Sequence, residues 1–205
     1  MKLVVMSQNR TFDEQRRESR DCIDSRLTDF FLGLDLESVN IPNNAGNVQG
    51  VLQKIRPTGV VLSGGNNIGE EAQRDTTEWA LLDYAVQENL PVMGICRGMQ
   101  MINHYLGGTL TNVDGHAGST HRIHGKQAGF SRVKVNSYHN FQLDQLGEGL
   151  RAAARSGDGA IEAITHNQLP WLGIMWHPER ETPFSEDDFQ LVTDLFFRKR
   201  FPEII

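Results

Sequence analysis

The sequence predicts an α/β fold, a doubly wound and mostly parallel sheet with helices on both faces, with residues 1–205 as one domain. Three observations predict it. Short apolar runs alternate with helical spacing through the first half, the rhythm of parallel strands joined by crossover helices. The 205 residues, 39% of them hydrophobic, suit a soluble globular unit. A cysteine also sits where one apolar run turns into a helix, the end of the strand at which such sheets hold their ligands.

Each element follows from its residues. Residues 3–6 form an apolar strand, and Ile23, Leu27, Phe30 and Phe31 fall at helical spacing before Gly33 stops the helix. That helix is expected to include Cys22 as a structural thiol. Residues 39–41 read as a weak strand and 51–55 as a short helix. Gly59–Leu62 is an apolar strand running into Ser63-Gly-Gly-Asn-Asn67. Trp79, Leu82 and Val86 mark a helix that ends before Pro91. Residues 91–95 form the next strand, and 97–106 a helix burying Met101, Ile102, Tyr105 and Leu106. From 107 to 129 the chain, rich in Gly, Thr, His and Asn, reads as loop. Residues 132–136, 160–165 and 171–176 read as strands. A final helix has Ser185 as N-cap, Glu186, Asp187 and Asp188 in its first turn, and Phe189, Val192 and Phe196 on one face. Arg198, Lys199 and Arg200 close it, matching the helix dipole.

Charge and composition narrow the function. A net charge of -6 argues against general nucleic-acid binding, which needs a basic surplus. Two cysteines far apart give neither a disulfide framework nor paired metal-ligand spacing. No signal-peptide pattern and no bilayer-length apolar run occur. A cytoplasmic protein without membrane association is therefore expected, and the sequence is compatible with a homo-oligomer.

Cys96 is the candidate nucleophile. Gly94 and Gly98 flank it, letting the chain turn tightly and other backbone approach. A cysteine is more often a buried structural residue, but the positive end of a helix dipole favours a reactive thiolate. His177 follows another strand and can move the thiol's proton, with Glu179 to orient the imidazole. The Gly64–Gly65 turn offers backbone N–H groups that, with that of Arg97, suit an oxyanion hole; an ordinary turn is the alternative. His116, His121 and His124 match no strong ligand template. No metal and no cofactor is expected, and His121, Arg122, His124 and Lys126 read as a basic rim.

Gly94-Ile-Cys-Arg-Gly-Met-Gln100 with Trp176-His-Pro-Glu179 resembles the class I glutamine amidotransferases, more narrowly their γ-glutamyl hydrolase branch. The resemblance covers nearly the whole chain and implies a flavodoxin-like fold and the triad Cys96, His177 and Glu179. It also implies that Gln100 binds the amino-acid end of a γ-glutamyl group; without it, Gln100 would be read as solvent-facing. The segment Val135-Asn-Ser-Tyr-His-Asn-Phe141 is similar to the family stretch whose backbone, here at Tyr138 and His139, helps hold the glutamyl carboxylate.

Arg97, directly after the nucleophile, resembles hydrolases of γ-glutamyl conjugates more than glutaminases that feed ammonia to a synthase. The expected partner is thus a small-molecule γ-glutamyl conjugate. The wording of the second half is similar to a group within that branch whose conjugates carry a nucleoside diphosphate. Arg10, Arg16, Arg17 and Arg20 would suit such an anion, with Asn66 and Asn67 also near the leaving half. Asp13, Glu14, Glu18 and Asp21 are interleaved among the arginines, so an ordinary solvated face stays open. A γ-glutamyl-GABA or polyamine conjugate, a glutaminase subunit of a two-protein amidotransferase, and a non-catalytic binding module are the other readings.

Overall fold

The computed structural model describes residues 2–43, 46–126 and 129–198. β1 (Lys2–Ser7) leads into a hairpin of β2 (Asn9–Asp13) and β3 (Glu18–Cys22), followed by α1 (Ser25–Leu32) and β4 (Leu36–Ile41). Next come α2 (Val48–Ile55), β5 (Gly59–Leu62), α3 (Ala72–Gln87), β6 (Val92–Ile95) and α4 (Arg97–Tyr105). The rest is richer in strands: β7 (Leu110–Asn112), β8 (Ser119–Gly125), β9 (Arg132–Ser137), β10 (Phe141–Leu143), β11 (Leu150–Ser156), β12 (Ile161–His166) and β13 (Trp171–Ile174). A 3-10 turn, Pro178–Arg180, precedes α5 (Glu186–Thr193), which runs on as a π-turn over Asp194–Arg198.

A nine-stranded sheet, ordered β4-β1-β5-β6-β13-β12-β11-β8-β9, organises the molecule. The strands β4, β1, β5, β6 and β13 pair in parallel. From β12 to β9 every pairing is antiparallel. Strands β5, β6 and β13 are buried throughout, as apolar four-residue runs covered on both faces must be. The connection through α1 steps one way from β1, and those through α2 and α3 step the other way. Right-handed crossovers therefore put α1 on one face and α2 and α3 on the other. Phe30 and Phe31 of α1 pack on Phe189 and Phe196 at 5.2 and 6.2 Å between ring centroids. Trp79 of α3 packs edge-on to Tyr105 of α4 at 5.1 Å. No helix among the described residues is long and apolar enough to cross a membrane.

Several expectations need correction. Asp24 caps α1 by accepting from the Arg26 N–H at 3.0 Å, so Cys22 lies outside that helix, exposed at the end of β3. The arginine-bearing stretch after β1 is a β-hairpin. The presumed loop at 107–129 contains β7 and β8. In α3, Trp79 and Val86 are exposed, and the buried face instead carries Arg74, Thr77, Glu78, Leu81, Leu82 and Ala85. Ser185 stands at the N-cap position of α5 without a side-chain capping bond. Lys199 and Arg200 lie outside the described residues.

Candidate active site

The site forms where β5, β6 and β13 end side by side. Ile95 is in register with Ile174, and Leu62 with Gly94. Cys96 takes φ 52° and ψ -106° between β6 and α4. A non-glycine residue held there costs about 1–3 kcal/mol, repaid by its surroundings. Its N–H donates to the Ile174 carbonyl at 2.7 Å, and its carbonyl accepts from Gln100 N–H at 3.2 Å to start α4. The flanking glycines are needed for contact. A Cβ on Gly98 would lie 2.1 Å from the Leu62 carbonyl oxygen, and one on Gly94 would lie 2.5 Å from the Gly98 backbone. The thiol is buried at the N-terminus of the helix.

His177 comes three residues after β13. Its Nδ1–H donates to Glu179 Oε1 at 2.7 Å, and both residues are buried. A carboxylate only accepts, so the proton is fixed on Nδ1 and Nε2 is left available. Burial opposes the charged imidazole, but the Cys96 sulfur and the Glu179 carboxylate outweigh it and push His177 up to about 9. A Cβ on Gly64 would fall 2.8 Å from His177 Cε1 and 3.7 Å from Cys96 Cβ, so the glycine turn, base and thiol share one small space. Asn136 locks the backbone of the histidine. It accepts from His177 N–H at 2.9 Å and donates from Nδ2 to the His177 carbonyl at 2.8 Å. Sequence reasoning missed Asn136, although it begins the Asn-Ser-Tyr-His stretch that was singled out.

The turn after β5 rests on a buried ionic network. Arg74 donates from Nη2 to the carbonyls of Ser63 and Gly64, each at 2.8 Å. In trans peptides the following N–H groups, of Gly64 and Gly65, point the opposite way. Gly65 adopts φ 120°, and a Cβ there would meet Asn9 and Arg74 within 2.7 Å. Arg74 Nε pairs with Glu78 at 3.0 Å, and Glu78 also accepts from Ser7 Oγ at 2.7 Å. The Arg97 side chain, buried as well, bridges Glu78 and Asp75. The sequence marked Arg97 for its backbone N–H, and its guanidinium proves to belong to this network.

The remaining candidates divide. Gln100 is buried, not solvent-facing, and donates to the Phe141 carbonyl at 3.1 Å. Tyr138 is exposed and lies edge-on to His177 at 5.7 Å. His139 is buried with its ring turned to His116, 3.1 Å away. Asn66 is occupied: Oδ1 accepts from Arg10 N–H and Nδ2 donates to the Arg10 carbonyl, each at 2.9 Å. The Arg10 side chain bonds Gln73 and lies 3.8 Å from Glu71. Arg20 pairs with Glu18 at 2.9 Å and Asp13 at 3.5 Å. The hairpin thus satisfies Arg10, Arg16 and Arg20 with its own and neighbouring acceptors. Cys22 lines a cavity of 120 Å³ with Ser63, Gly64, Gly65, His177 and Glu179. A larger cavity of 510 Å³ between α2 and α3 is lined, among the described residues, by no titratable group.

The arrangement brings together a thiol, an oriented imidazole and turned backbone N–H groups, the parts required for acyl transfer. The Peptidase C26 family model matches residues 6–179. A γ-glutamyl-CDP-amidate hydrolase of Campylobacter jejuni is 37% identical over 67% of this chain and 68% of its own. A γ-glutamyl-γ-aminobutyrate hydrolase of Escherichia coli O157:H7 is 26% identical over 70% of this chain and 64% of its own. For the first four curated relatives the match spans 43% to 68% of their length. The crystal structure of a glutamine amidotransferase from Thermotoga maritima shares the fold, with a TM-score of 0.66 at 17% identity, over 96% of this chain and 84% of that one.

Proposed function

Because the chain belongs to the Peptidase C26 family, we propose that it is a cysteine-dependent hydrolase that cleaves a γ-glutamyl amide through a thioester. The observation that carries this reading is the left-handed corner at Cys96, set against the His177–Glu179 pair. In the first half-reaction the Cys96 sulfur attacks the γ-carbonyl, and the oxyanion rests on the N–H groups of the Gly64–Gly65 turn and of Arg97. One such donor is worth about 2.7–4 kcal/mol of barrier. His177 protonates the departing nitrogen, then takes a proton from water as the thioester is hydrolysed to glutamate. Gln100 and the backbone at Tyr138 and His139 hold the amino-acid end.

Glu179→Gln is expected to slow turnover by about 10²–10⁴-fold, since it spoils the tautomer and the imidazolium without removing the nucleophile. The pH profile identifies the cause. His177 stands raised from 6.5 to about 9, so the charged pair stabilises the fold fully below pH 6.5 and fades as pH rises through about 9. In kcat/KM the acid form is lost on the same alkaline limb. Glu179→Gln should move that limb to lower pH; an unmoved limb would count against an orienting role for Glu179.

For the substrate, γ-glutamyl-CDP-amidate is the reading best supported, yielding glutamate and cytidine diphosphoramidate as a step of capsular phosphoramidate biosynthesis. The higher identity to the hydrolase of that conjugate supports it. So does Arg180, an exposed cation 4.2 Å over the Tyr138 ring that has no ion-pair partner among the described residues. Arg180→Ala is expected to raise KM for the nucleotide conjugate by about 10–100-fold, the loss of one charge-assisted bond, and to change KM for γ-glutamyl-GABA little. Equal effects on both would remove Arg180 from the leaving-group site. The deciding experiment is glutamate release from γ-glutamyl-CDP-amidate, γ-glutamyl-GABA and glutamine side by side. Preference for the first supports the reading, preference for the second replaces the substrate, and preference for glutamine points to a glutaminase subunit.

A further inference from the structure

Histidines from three segments converge on one buried carboxylate behind the 138–141 segment. Glu162 on β12 is fully buried, and its Oε1 lies 3.2 Å from His121 Nε2, 3.4 Å from His116 Nδ1 and 3.6 Å from His139 Nε2. Among the described residues, neither Glu162 oxygen accepts a hydrogen bond of normal geometry, and His121 Nε2 has no partner. A buried carboxylate in that condition is costly unless positive charge joins it.

The ring tautomers sharpen the point. His116 Nε2 lies 2.9 Å from Asp158 Oδ2, an atom that only accepts, so Nε2 carries the proton. His139 Nδ1 lies 2.9 Å from the Phe141 carbonyl, which also only accepts, so Nδ1 carries that one. In the neutral rings, His116 Nδ1 and His139 Nε2 therefore present lone pairs to each other across 3.1 Å. Two lone pairs and a carboxylate oxygen directed into one space repel unless a cation lies among them. A shared proton can bridge only one pair of these atoms. A metal ion satisfies all of them at once.

The separations fit a metal. Zinc–nitrogen bonds of 2.0–2.1 Å in a tetrahedron place ligand atoms about 3.3 Å apart, against 3.1, 3.4 and 3.6 Å among these three atoms. Both rings also give their other N–H to an oxygen, as zinc-bound histidines commonly do. We propose that His116 Nδ1, His139 Nε2 and a Glu162 oxygen bind one divalent zinc-class ion. Three buried protein ligands leave the fourth position of a tetrahedron to a small exogenous ligand such as water. The ion ties together the turn before β8, β12 and the segment carrying Tyr138 and Phe141. The Phe141 carbonyl also accepts from Gln100, and Tyr138 lies against His177, so the ion would brace the wall of the glutamyl pocket. The sequence pointed away from a metal because it grouped His124 with His116 and His121. His124 is exposed, and the ligands His139 and Glu162 come later in the chain, from the segment between β9 and β10 and from β12.

The test is metal content. Protein stripped with a chelator, incubated with Zn²⁺ and desalted is expected to retain about one ion per chain by elemental analysis, and to melt at higher temperature than the stripped form. His116→Ala and Glu162→Gln should each lower zinc affinity at least about tenfold. Since either variant can fail to fold, Co²⁺ loaded into the unaltered protein gives an independent reading: intense visible absorption is expected from a tetrahedral site. No retained zinc, retention unchanged in both folded variants, or a weak six-coordinate cobalt spectrum would each overturn the proposal. Glutamate release plays no part in these readouts, so their failure is distinct from failure of the proposed hydrolysis.

Discussion

Cys96→Ala is expected to abolish hydrolysis of any γ-glutamyl amide while leaving the protein folded. Loss of a covalent nucleophile commonly lowers kcat by about 10⁴–10⁶-fold, with the residue due to binding and the oxyanion donors. The fold should survive because alanine keeps the Cβ and the backbone bonds that hold the corner, namely the N–H to the Ile174 carbonyl and the carbonyl to Gln100. The unfavourable φ of 52° remains in the variant, so no strain relief complicates the comparison. Circular dichroism and a thermal melt establish the fold, and glutamate release establishes the rate. A folded variant with activity within tenfold of the parent would overturn the thioester route.

The second large effect is on stability. Glu78→Ala is expected to cost about 3–5 kcal/mol, because it removes the shared counter-ion of two buried guanidinium groups, Arg74 and Arg97. For a chain of this size each kcal/mol lowers Tm by roughly 2–4 °C, so a fall of roughly 6–20 °C should be seen. Activity in the folded fraction should also drop, because Arg74 would lose the partner that aims it at the Ser63 and Gly64 carbonyls. Replacing Glu78 with Gln, which keeps shape and one acceptor, should cost less. A loss under about 1 kcal/mol in the alanine variant would show that the network contributes little.

What the sequence revealed depended on whether chemistry showed in hydrophobic pattern. The strands at the centre of the sheet are continuous apolar runs, so β5, β6 and β13 were legible, and with them the loops that carry Gly64, Cys96 and His177. The hairpin β2–β3 was not. Its residues are mostly polar and its faces half-exposed, so only pairing between the strands defines it. β8 buries Ile123 alone as a clear apolar signal, and a run of Ser, Thr, His and Arg reads as loop. β11 is built on Ala152, Ala153 and Ala154, residues with little strand preference. In α3, apolar spacing selected Trp79 and Val86, but the chain buries Arg74 and Glu78 there instead. Periodicity treats charge as surface, so a neutralised interior network is invisible to it. The Glu162 cluster was hidden for a related reason: its members are far apart in sequence and meet only across the antiparallel strands.

The pairing of β13 with β6 also dictates the order of assembly. The strand that carries the base lies between β6 and β12, in the interior of the sheet, yet it is separated from the nucleophile by the whole antiparallel half of the molecule. Contacts of such long range are slow to form. A chain emerging from the ribosome presents the corner at Cys96 well before residues 171–177 exist to fill the gap, and domains generally complete as units during synthesis. The thiol thus stays without its proton acceptor until residues 171–177 have been made. The proposed hydrolysis would therefore begin only with the insertion of that strand, and would itself report that the sheet has closed.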